Sequence, residues 1–368
     1  SMGPMGPLVV SVFLLAPDGR TSSRDMDSFL CMANHRPGHL LLLRLLAKQT
    51  TPCPKKTRRP MSIHHVSFYL FASFCFISCN PKPNSPELEK NKTSVSRFTR
   101  DYIDNFNASW SQNPLWDDGQ AEVSLYDATR PQYGRVEPYE AVLIVVKEIF
   151  NGRLLVKADA PYRDKQAFPV IKLNAIHSYW TERYPYHYLL SVFVRRDNPS
   201  SLVKLTLGGQ EWCGNTFNEI KVLGSRQELI SHSYFDGQGD KTQELNLRGN
   251  DFVEDQLPLI LRSLKFKTGL QLSVRILPSL VSNHLQNPLE LVPASITVDG
   301  EEEVETALGT RMAWKVSLQT PNLQQAWWFE KIIPHILLKM DSSDGRTWTL
   351  KDQTRKAYWR EPTFYPEM

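Results

Sequence analysis

Apolar and polar residues alternate along most of the chain from about residue 121 to its end. The alternation is clear at Tyr186, Tyr188, Leu190, Val192 and Val194, which fall on one face of an extended segment. Such segments recur at intervals of about 8 to 15 residues, which favours hairpins over parallel strands with helical crossovers. The pattern predicts a mainly β fold: a long curled antiparallel sheet, half-barrel or barrel-like, capped by one or two α-helices.

The predicted strands cover residues 141–146, 170–176, 186–194, 202–207, 219–223, 228–235, 242–247, 270–276, 312–318, 326–331, 335–341 and 356–360, with further strand signals at 123–125 and 348–350. Met312, Trp314 and Val316 share one face of their segment, and we expect all three in the core.

Two segments have helical periodicity. Phe98, Tyr102, Phe106 and Trp110 recur every four residues and predict a helix near residues 97–110. A second amphipathic helix is predicted near residues 254–267, with a cap at Asp251 and its apolar side against the sheet.

The domain boundaries follow from these patterns. Residues 96–368 are predicted to form one antiparallel β domain, and the alternative is two β domains divided near the helix at 254–267. Residues 79–95 are rich in proline and charge and suit a flexible tether.

The stretch 61–78 has the length and composition of a bacterial export signal. It ends at Ser78 before Cys79, and a small residue followed by a thiol is the arrangement of a lipoprotein cleavage and acylation site. Bulky Phe74 before Cys75 lacks that arrangement. We therefore expect lipidation at Cys79, and the alternative for this stretch is a buried apolar helix or strand. Residues 1–60 are interpreted as a misassigned, disordered upstream extension; the alternatives are a genuine leader and an amphipathic membrane segment around residues 39–48.

Charge is distributed unevenly along the chain. Lys and Arg outnumber Asp and Glu by nine to three in residues 1–79, whereas the remainder is slightly acidic. This distribution argues against a nucleic-acid-binding protein, which needs a basic face on its folded domain.

Cys213 is the one cysteine after Cys79. It lies in a segment with three glycines, where it could act as a nucleophile with His187 or His177 as base and Glu211 or Asn215 orienting the base. The alternative is a hairpin turn in which Trp212 and Cys213 pack inward and Asn215 bonds to the backbone.

Aromatic residues are dense between Tyr179 and Tyr188. They could line an apolar or carbohydrate-stacking site, and the predicted ligand-binding residues are Trp180, Tyr186, Tyr188, Trp212 and Trp314. The alternative is strand–turn–strand packing without a ligand.

Patterns of other site classes are missing from the sequence. The histidines after Cys79 lack metal-ligand spacing, and neither a Rossmann nor a P-loop glycine pattern occurs. We therefore expect no metal and no cofactor. The glutamates at positions 301, 302, 303 and 305 are interpreted as a solvated hairpin tip.

Two stretches carry a resemblance to known families. The tail, with Thr306-Ala307-Leu308-Gly309-Thr310-Arg311-Met312-Ala313-Trp314 and Trp327-Trp328-Phe329-Glu330, resembles bacterial envelope proteins of unknown function with a curled β-sheet, which look distantly like the lipoprotein carriers of the outer-membrane localisation pathway. The segment Glu211-Trp212-Cys213-Gly214-Asn215-Thr216-Phe217 is similar to hypothetical lipoproteins that are sometimes labelled septum formation inhibitor Maf, although the Ser-Pro-Arg-Arg motif of Maf pyrophosphatases is missing here. The resemblance implies a fold and an envelope address and transfers no catalytic residue.

These observations predict a lipid-anchored protein of the bacterial cell envelope that faces the periplasm, at the outer membrane because Asn80 is not an aspartate-type retention signal. The predicted function is a non-enzymatic binding module for an apolar or amphipathic ligand, a glycan or an envelope protein, in the concavity of its sheet. The alternative is a thiol-dependent enzyme with Cys213 as nucleophile.

Overall fold

The structure is a computed structural model that describes residues 105–162, 166–224, 226–285 and 288–360. The predicted lipidation site Cys79, the export signal and the tether lie outside the described residues, so they stay predictions.

The described residues contain two short α-helices and sixteen strands. The helices are α1 (Ala108–Ser111) and α2 (Leu257–Ile260), and 3-10 turns cover Pro114–Asp117, Glu254–Gln256, Leu261–Ser263 and Tyr358–Arg360. The strands are β1 (Ala121–Gln132), β2 (Arg135–Asn151), β3 (Val156–Lys157), β4 (Phe168–Trp180), β5 (Pro185–Arg195), β6 (Leu202–Glu211), β7 (Gly214–Leu223), β8 (Arg226–Ser233), β9 (Lys241–Leu245), β10 (Asp251–Val253), β11 (Gln271–Leu277), β12 (Val292–Thr306), β13 (Gly309–Gln319), β14 (Gln324–Glu330), β15 (Leu337–Ser342) and β16 (Thr347–Lys356).

All of these strands belong to one sheet, which confirms the predicted fold class. The order is β10-β11-β12-β13-β14-β15-β16-β1-β2-β4-β5-β6-β7-β8-β9, with β3 paired to β2. Neighbours pair antiparallel apart from β10 and β11, which are parallel. The strands before and after residues 254–267 therefore share one sheet.

The connection between the two edge strands forces the sheet to curl. Fifteen strands side by side would span roughly 65 Å in a flat sheet. The edges β9 and β10 are joined by residues 246–250, which can reach at most about 20 Å. The sheet therefore curves until its edges come near each other, but β9 and β10 do not pair and the sheet stays open.

Two glutamine side chains join the region of β9 to the loop that follows β11. The amide of Gln243 donates to the carbonyl of Leu289 over 2.8 Å and accepts from its N–H over 3.3 Å. Gln238 makes the same pair of bonds with Leu285, at 3.1 Å each. These amides pair with backbone groups of Leu285 and Leu289, so they hold this loop beside the end of the sheet.

The segment from Asp251 to Leu264 fills the concave side of the sheet. Every residue of this segment is buried, so it is not the amphipathic helix with one apolar side that the sequence predicts. Asp251 lies in β10 and accepts a 2.8 Å bond from Arg275 instead of capping a helix. The N-cap position of the first turn is Val253, whose N–H donates to the side-chain oxygen of Gln256.

Among the described residues, the first helix begins at Ala108, whereas the periodicity predicts helix at residues 105–107 as well. It begins after Asn107, whose side chain accepts from the N–H of Ser109. Phe106 is extended and forms an isolated bridge with Leu264. Phe106 and Trp110 are both buried, as their spacing predicts, but pairing with the buried segment replaces a helical turn at Phe106.

Met312 is not a core residue, and that expectation is wrong. Its side chain is 41% exposed, whereas Val316 is buried and Trp314 packs at the margin of the core. Met312 lies towards the hairpin end of β13, beyond Ala313, the last residue of this strand that pairs with β14. The two-residue period predicts the face on which Met312 lies, but it does not show how far along the strand the core extends.

Candidate functional site

The structure brings four of the five predicted ligand-binding residues into one aromatic cluster. Tyr186 and Tyr188 are buried on the concave face of β5, with their ring centroids 6.1 Å apart. Trp180 and Trp212 lie at neighbouring hairpin ends, 68% and 71% exposed, with centroids 6.3 Å apart and planes at 84°. Tyr184 links the two pairs, because its ring lies 5.5 Å from Tyr186 and 6.3 Å from Trp212.

Trp314 lies apart from this cluster. It is on β13, where its indole stacks on Phe266 with centroids 5.5 Å apart and planes at 7°. The binding role of all five residues remains a prediction.

Cys213 and His187 do not form a hydrogen-bonded pair. Cys213 is exposed in the two-residue turn between β6 and β7, rather than packed inward as the hairpin alternative proposes. His187 bonds through Nδ1 to the hydroxyl of Ser178 over 2.7 Å. Glu211 accepts a 3.0 Å bond from Asn283, and the backbone carbonyl of Asn215 accepts from the N–H of Tyr234.

His177, the other predicted base, lies inside the sheet. It is buried on β4 and bonds through Nδ1 to the hydroxyl of Tyr139 over 3.0 Å. Burial, followed by the charges of Arg130 and Arg346, lowers the pKa of His177 to about 3. The imidazole is therefore neutral at physiological pH and belongs to the interior wall.

A small cavity with several charged groups in its lining adjoins His177. Its volume is about 40 Å³, and its lining includes Arg130, Glu254, Asp255 and Arg346. Burial raises the pKa of Asp255 to about 6, although the hydroxyl of Ser279 and the N–H of Leu280 both donate to its carboxylate. This volume suits ordered water and is far below the roughly 300 Å³ at which ligand pockets begin.

The loop between β11 and β12 that contains Asn283 closes the concave side near the hairpin of β6 and β7. Asn283 accepts from the hydroxyl of Thr216 over 3.0 Å and donates to Glu211. A Cβ at Gly209 would lie 2.8 Å from Asn283 and 2.9 Å from Tyr188, so only glycine lets the loop approach β6 here. The buried segment and this loop together occupy the concavity in which the sequence predicts a ligand.

The convex side of the sheet carries a larger groove, which we name the outer groove. Its volume is about 790 Å³. The outer groove is lined by Val146, Lys147, Glu148, Ile149, Phe150, Leu155, Val156, Lys157, Ala158, Tyr162, Lys172, Phe193, Lys204, Thr206, Tyr358 and Trp359.

The floor of the outer groove is apolar because strands β2 and β4 to β6 bury residues on both faces. Phe150 and Phe193 are buried with centroids 4.6 Å apart. They form a cluster with Leu155, Val170 and Val203 that is separate from the main core. Its members come from the convex face of the sheet, which an antiparallel sheet often leaves to solvent.

Two short segments form the walls. On one side β3 pairs back on the end of β2, and the N–H of Ala158 donates to the carbonyl of Ile149 over 2.8 Å. On the other side the turn Tyr358–Arg360 carries Trp359. Tyr162 and Trp359 are each 51% exposed, which leaves aromatic surface at the margin of the outer groove.

The sequence indicates the apolar floor through uninterrupted apolar runs, which the strand prediction did not interpret as burial on both faces. Residues 141–146 are apolar without interruption, as are residues 192–194. A run of this kind indicates a strand buried on both faces rather than one. The walls have no comparable signal, because they come from positions about 200 residues apart in the chain.

Other site classes have little support in the part of the chain that the structure describes. It contains no group of three or more His, Cys, Asp or Glu side chains placed to hold a metal ion. None of its helices has both the length and the apolar composition that crossing a bilayer requires.

Comparisons with known proteins give weak structural likeness alone. No family model matches the chain, and no curated protein matches it. A DUF1089 family protein from Pseudomonas aeruginosa superimposes with a TM-score of 0.30 and 9% identity, over 45% of this chain and 82% of that chain. A putative exported protein with a YmcC-like fold from Bacteroides fragilis gives a TM-score of 0.17 and 8% identity, over 63% and 95%. Scores this low support no conclusion about the present chain.

Proposed function

We propose that the protein is a non-enzymatic binding module that holds an amphipathic ligand in the outer groove. The observation that carries this proposal is the combination of an apolar floor, charged sides and a volume of about 790 Å³. Pockets for small ligands are mostly apolar, contain a few polar groups and enclose about 300 to 1,000 Å³. The cavity beside His177 offers about 40 Å³, and a second cavity between β8, β9 and Leu285 offers about 260 Å³. Both lie below the roughly 300 Å³ at which ligand pockets begin, so the proposed ligand position moves from the predicted concavity to the convex face.

Binding of a neutral amphiphile tests this function. We expect dodecanol, kept below its solubility limit, to bind the full chain with a measurable heat in titration calorimetry. Thr206→Phe places a ring in the outer groove and should abolish that heat without deleting any core contact, because Thr206 lines the outer groove.

The matched control is Thr349→Phe, which places the same ring on β16, outside the lining of the outer groove. This variant should bind dodecanol as the unmodified chain does. Undiminished binding by Thr206→Phe, or equal loss in both variants, would show that the outer groove is not the site.

We also propose that the module is anchored in the bacterial envelope through lipid on Cys79 and faces the periplasm. A small residue precedes Cys79, whereas Phe74 precedes Cys75. Metabolic labelling with an alkynyl palmitate should mark the unmodified chain and Cys75→Ala but not Cys79→Ala. Equal labelling of the two variants would refute the anchor at Cys79.

A further inference from the structure

The outer groove contains more lysines than carboxylates. Lys147 at its margin is already paired with Asp117 over 2.6 Å. Lys157, Lys172 and Lys204 also line the outer groove, and Glu148 is the carboxylate that lines it.

The sheet register places lysines on either side of an aromatic ring. Lys172 lies opposite Phe193 in the pairing of β4 with β5, and Phe193 lies opposite Lys204 in the pairing of β5 with β6. Lys221 continues this row on β7. Directly opposed residues on one face are about 4.5 to 5.5 Å apart at Cβ, so the ammonium groups border an apolar floor.

The carboxylates near this row do not match the lysines in number. Lys204 and Lys221 share the carboxylate of Glu219, at 2.7 Å and 2.5 Å. Burial alone would raise the pKa of Glu219, but hydrogen bonds from the two lysines lower it below its usual value. One negative charge therefore faces two positive charges at this point.

The remaining two lysines leave a further excess of positive charge. Lys172 pairs with Glu148 over 3.3 Å and lies 5.7 Å from the centroid of Phe193. Lys157 is exposed and has no ion pair within the residues that the structure describes. In total, two carboxylates, Glu148 and Glu219, face four lysines: Lys157, Lys172, Lys204 and Lys221.

We infer that the ligand of the outer groove is an acidic amphiphile, an alkyl chain with an anionic head group such as a carboxylate or a phosphate. This inference rests on the proposed function and adds the charge of the ligand. The alkyl chain would lie on Phe150 and Phe193, and the head would lie near the ammonium groups of Lys157 and Lys204. A lysine is a point charge without the planar fork of arginine, so either acidic head is accepted.

The test compares head groups on one alkyl chain. Dodecanoate, dodecyl phosphate, dodecanol and dodecylammonium are titrated into the full chain below their micelle concentrations. We expect the two anions to bind about tenfold more tightly than dodecanol, and dodecylammonium to bind most weakly. Raising the salt concentration should weaken the binding of the anions and leave dodecanol unchanged, because salt screens charges near the surface.

The outcomes distinguish a failure of this inference from a failure of the proposed function. Equal affinity for dodecanoate and dodecanol would overturn the acidic head and leave the binding module standing. Failure of all four compounds to bind would overturn both. Preference for dodecyl phosphate over dodecanoate, or the reverse, would identify the head group within the proposed class.

Single substitutions test whether the ammonium group of Lys157 contributes to the binding of an anionic head group. Lys157→Met removes an exposed ammonium group that makes no described ion pair, so the fold should be kept. It should weaken dodecanoate binding at least about threefold, as expected for an exposed charge pair, and leave dodecanol binding unchanged. The control Lys267→Met removes an exposed lysine outside the outer groove and should change neither. Equal effects of the two substitutions on dodecanoate would overturn the inference.

Discussion

At the residue scale, the interior cavity holds two titratable groups with opposite effects on stability. The pKa of His177 is about 3 in the folded chain against an ordinary value of 6.5, and that of Asp255 is about 6 against 3.8. Below pH 6.5 the unfolded chain binds a proton at His177 that the folded chain does not, so stability from this group falls with falling pH. Stability from Asp255 is present below pH 3.8 and is lost as the pH rises through about 6.

Substitution of His177 should therefore change how stability depends on pH. Between pH 7 and pH 5 the unmodified chain should lose about 2 kcal/mol more of unfolding free energy than His177→Gln, which does not titrate. Urea unfolding at the two pH values measures this difference. The same dependence in both proteins would show that His177 is protonated as readily in the fold as in the unfolded chain.

Cys213 illustrates a residue whose environment the sequence could not fix. The turn position of Trp212-Cys213 exposes the sulfur, whereas the imidazole of His187 is bonded to Ser178. We expect iodoacetamide to alkylate Cys213 at neutral pH at a rate that changes less than about twofold in His187→Ala, because a thiol without a base gains no reactivity from it. A tenfold slower reaction in that variant would favour the thiol-enzyme alternative.

At the element scale, the buried segment 251–264 is held by an ion pair that is itself buried. The side chains of Arg262 and Glu122 are each 3% exposed and are joined by two bonds of 2.8 Å. Arg262 also donates to the carbonyl of Pro334 and lies over the rings of Trp110 and Trp116. This arginine connects the segment to β1, to the turn before β15 and to α1.

Removing one partner of this ion pair should lower the free energy of unfolding. Arg262→Met leaves the carboxylate of Glu122 buried without a partner, and we expect a loss of about 3 to 5 kcal/mol in unfolding free energy. The double variant Glu122→Leu with Arg262→Met should recover most of that loss, because no charge remains buried. Denaturant unfolding of the single and double variants measures both effects, and a double variant no more stable than the single would contradict this account.

At the scale of the whole molecule, the hairpin order could be predicted from the sequence, because each hairpin is a local feature. The alternation in β5, from Tyr186 to Val194, gives the inward face correctly, and all five alternating residues are buried. The buried segment could not be placed in this way. Its interior position depends on the short connection between β9 and β10, which acts only once the whole sheet has formed.

The candidate site shows the same division between local and distant information. The apolar floor is visible in the sequence as uninterrupted apolar runs. The lysine row could not be predicted, because it needs the exact pairing of four strands, and a shift of one residue would turn its lysines to the concave face. The aromatic cluster at Trp180 and Trp212 was predicted as a site from its composition, and its role stays a prediction.

The central claim, that an amphipathic ligand lies in the outer groove, is tested most directly by locating a bound ligand. A doxyl-labelled stearate broadens the amide signals of nearby residues in the nuclear magnetic resonance spectrum of the deuterated chain. Our account predicts broadening at Phe193, Lys204 and Thr206, reversed when unlabelled dodecanoate displaces the probe, with Trp180 and Trp212 unaffected. Broadening centred on Trp180 and Trp212 instead, with the signals of the outer groove unchanged, would contradict it.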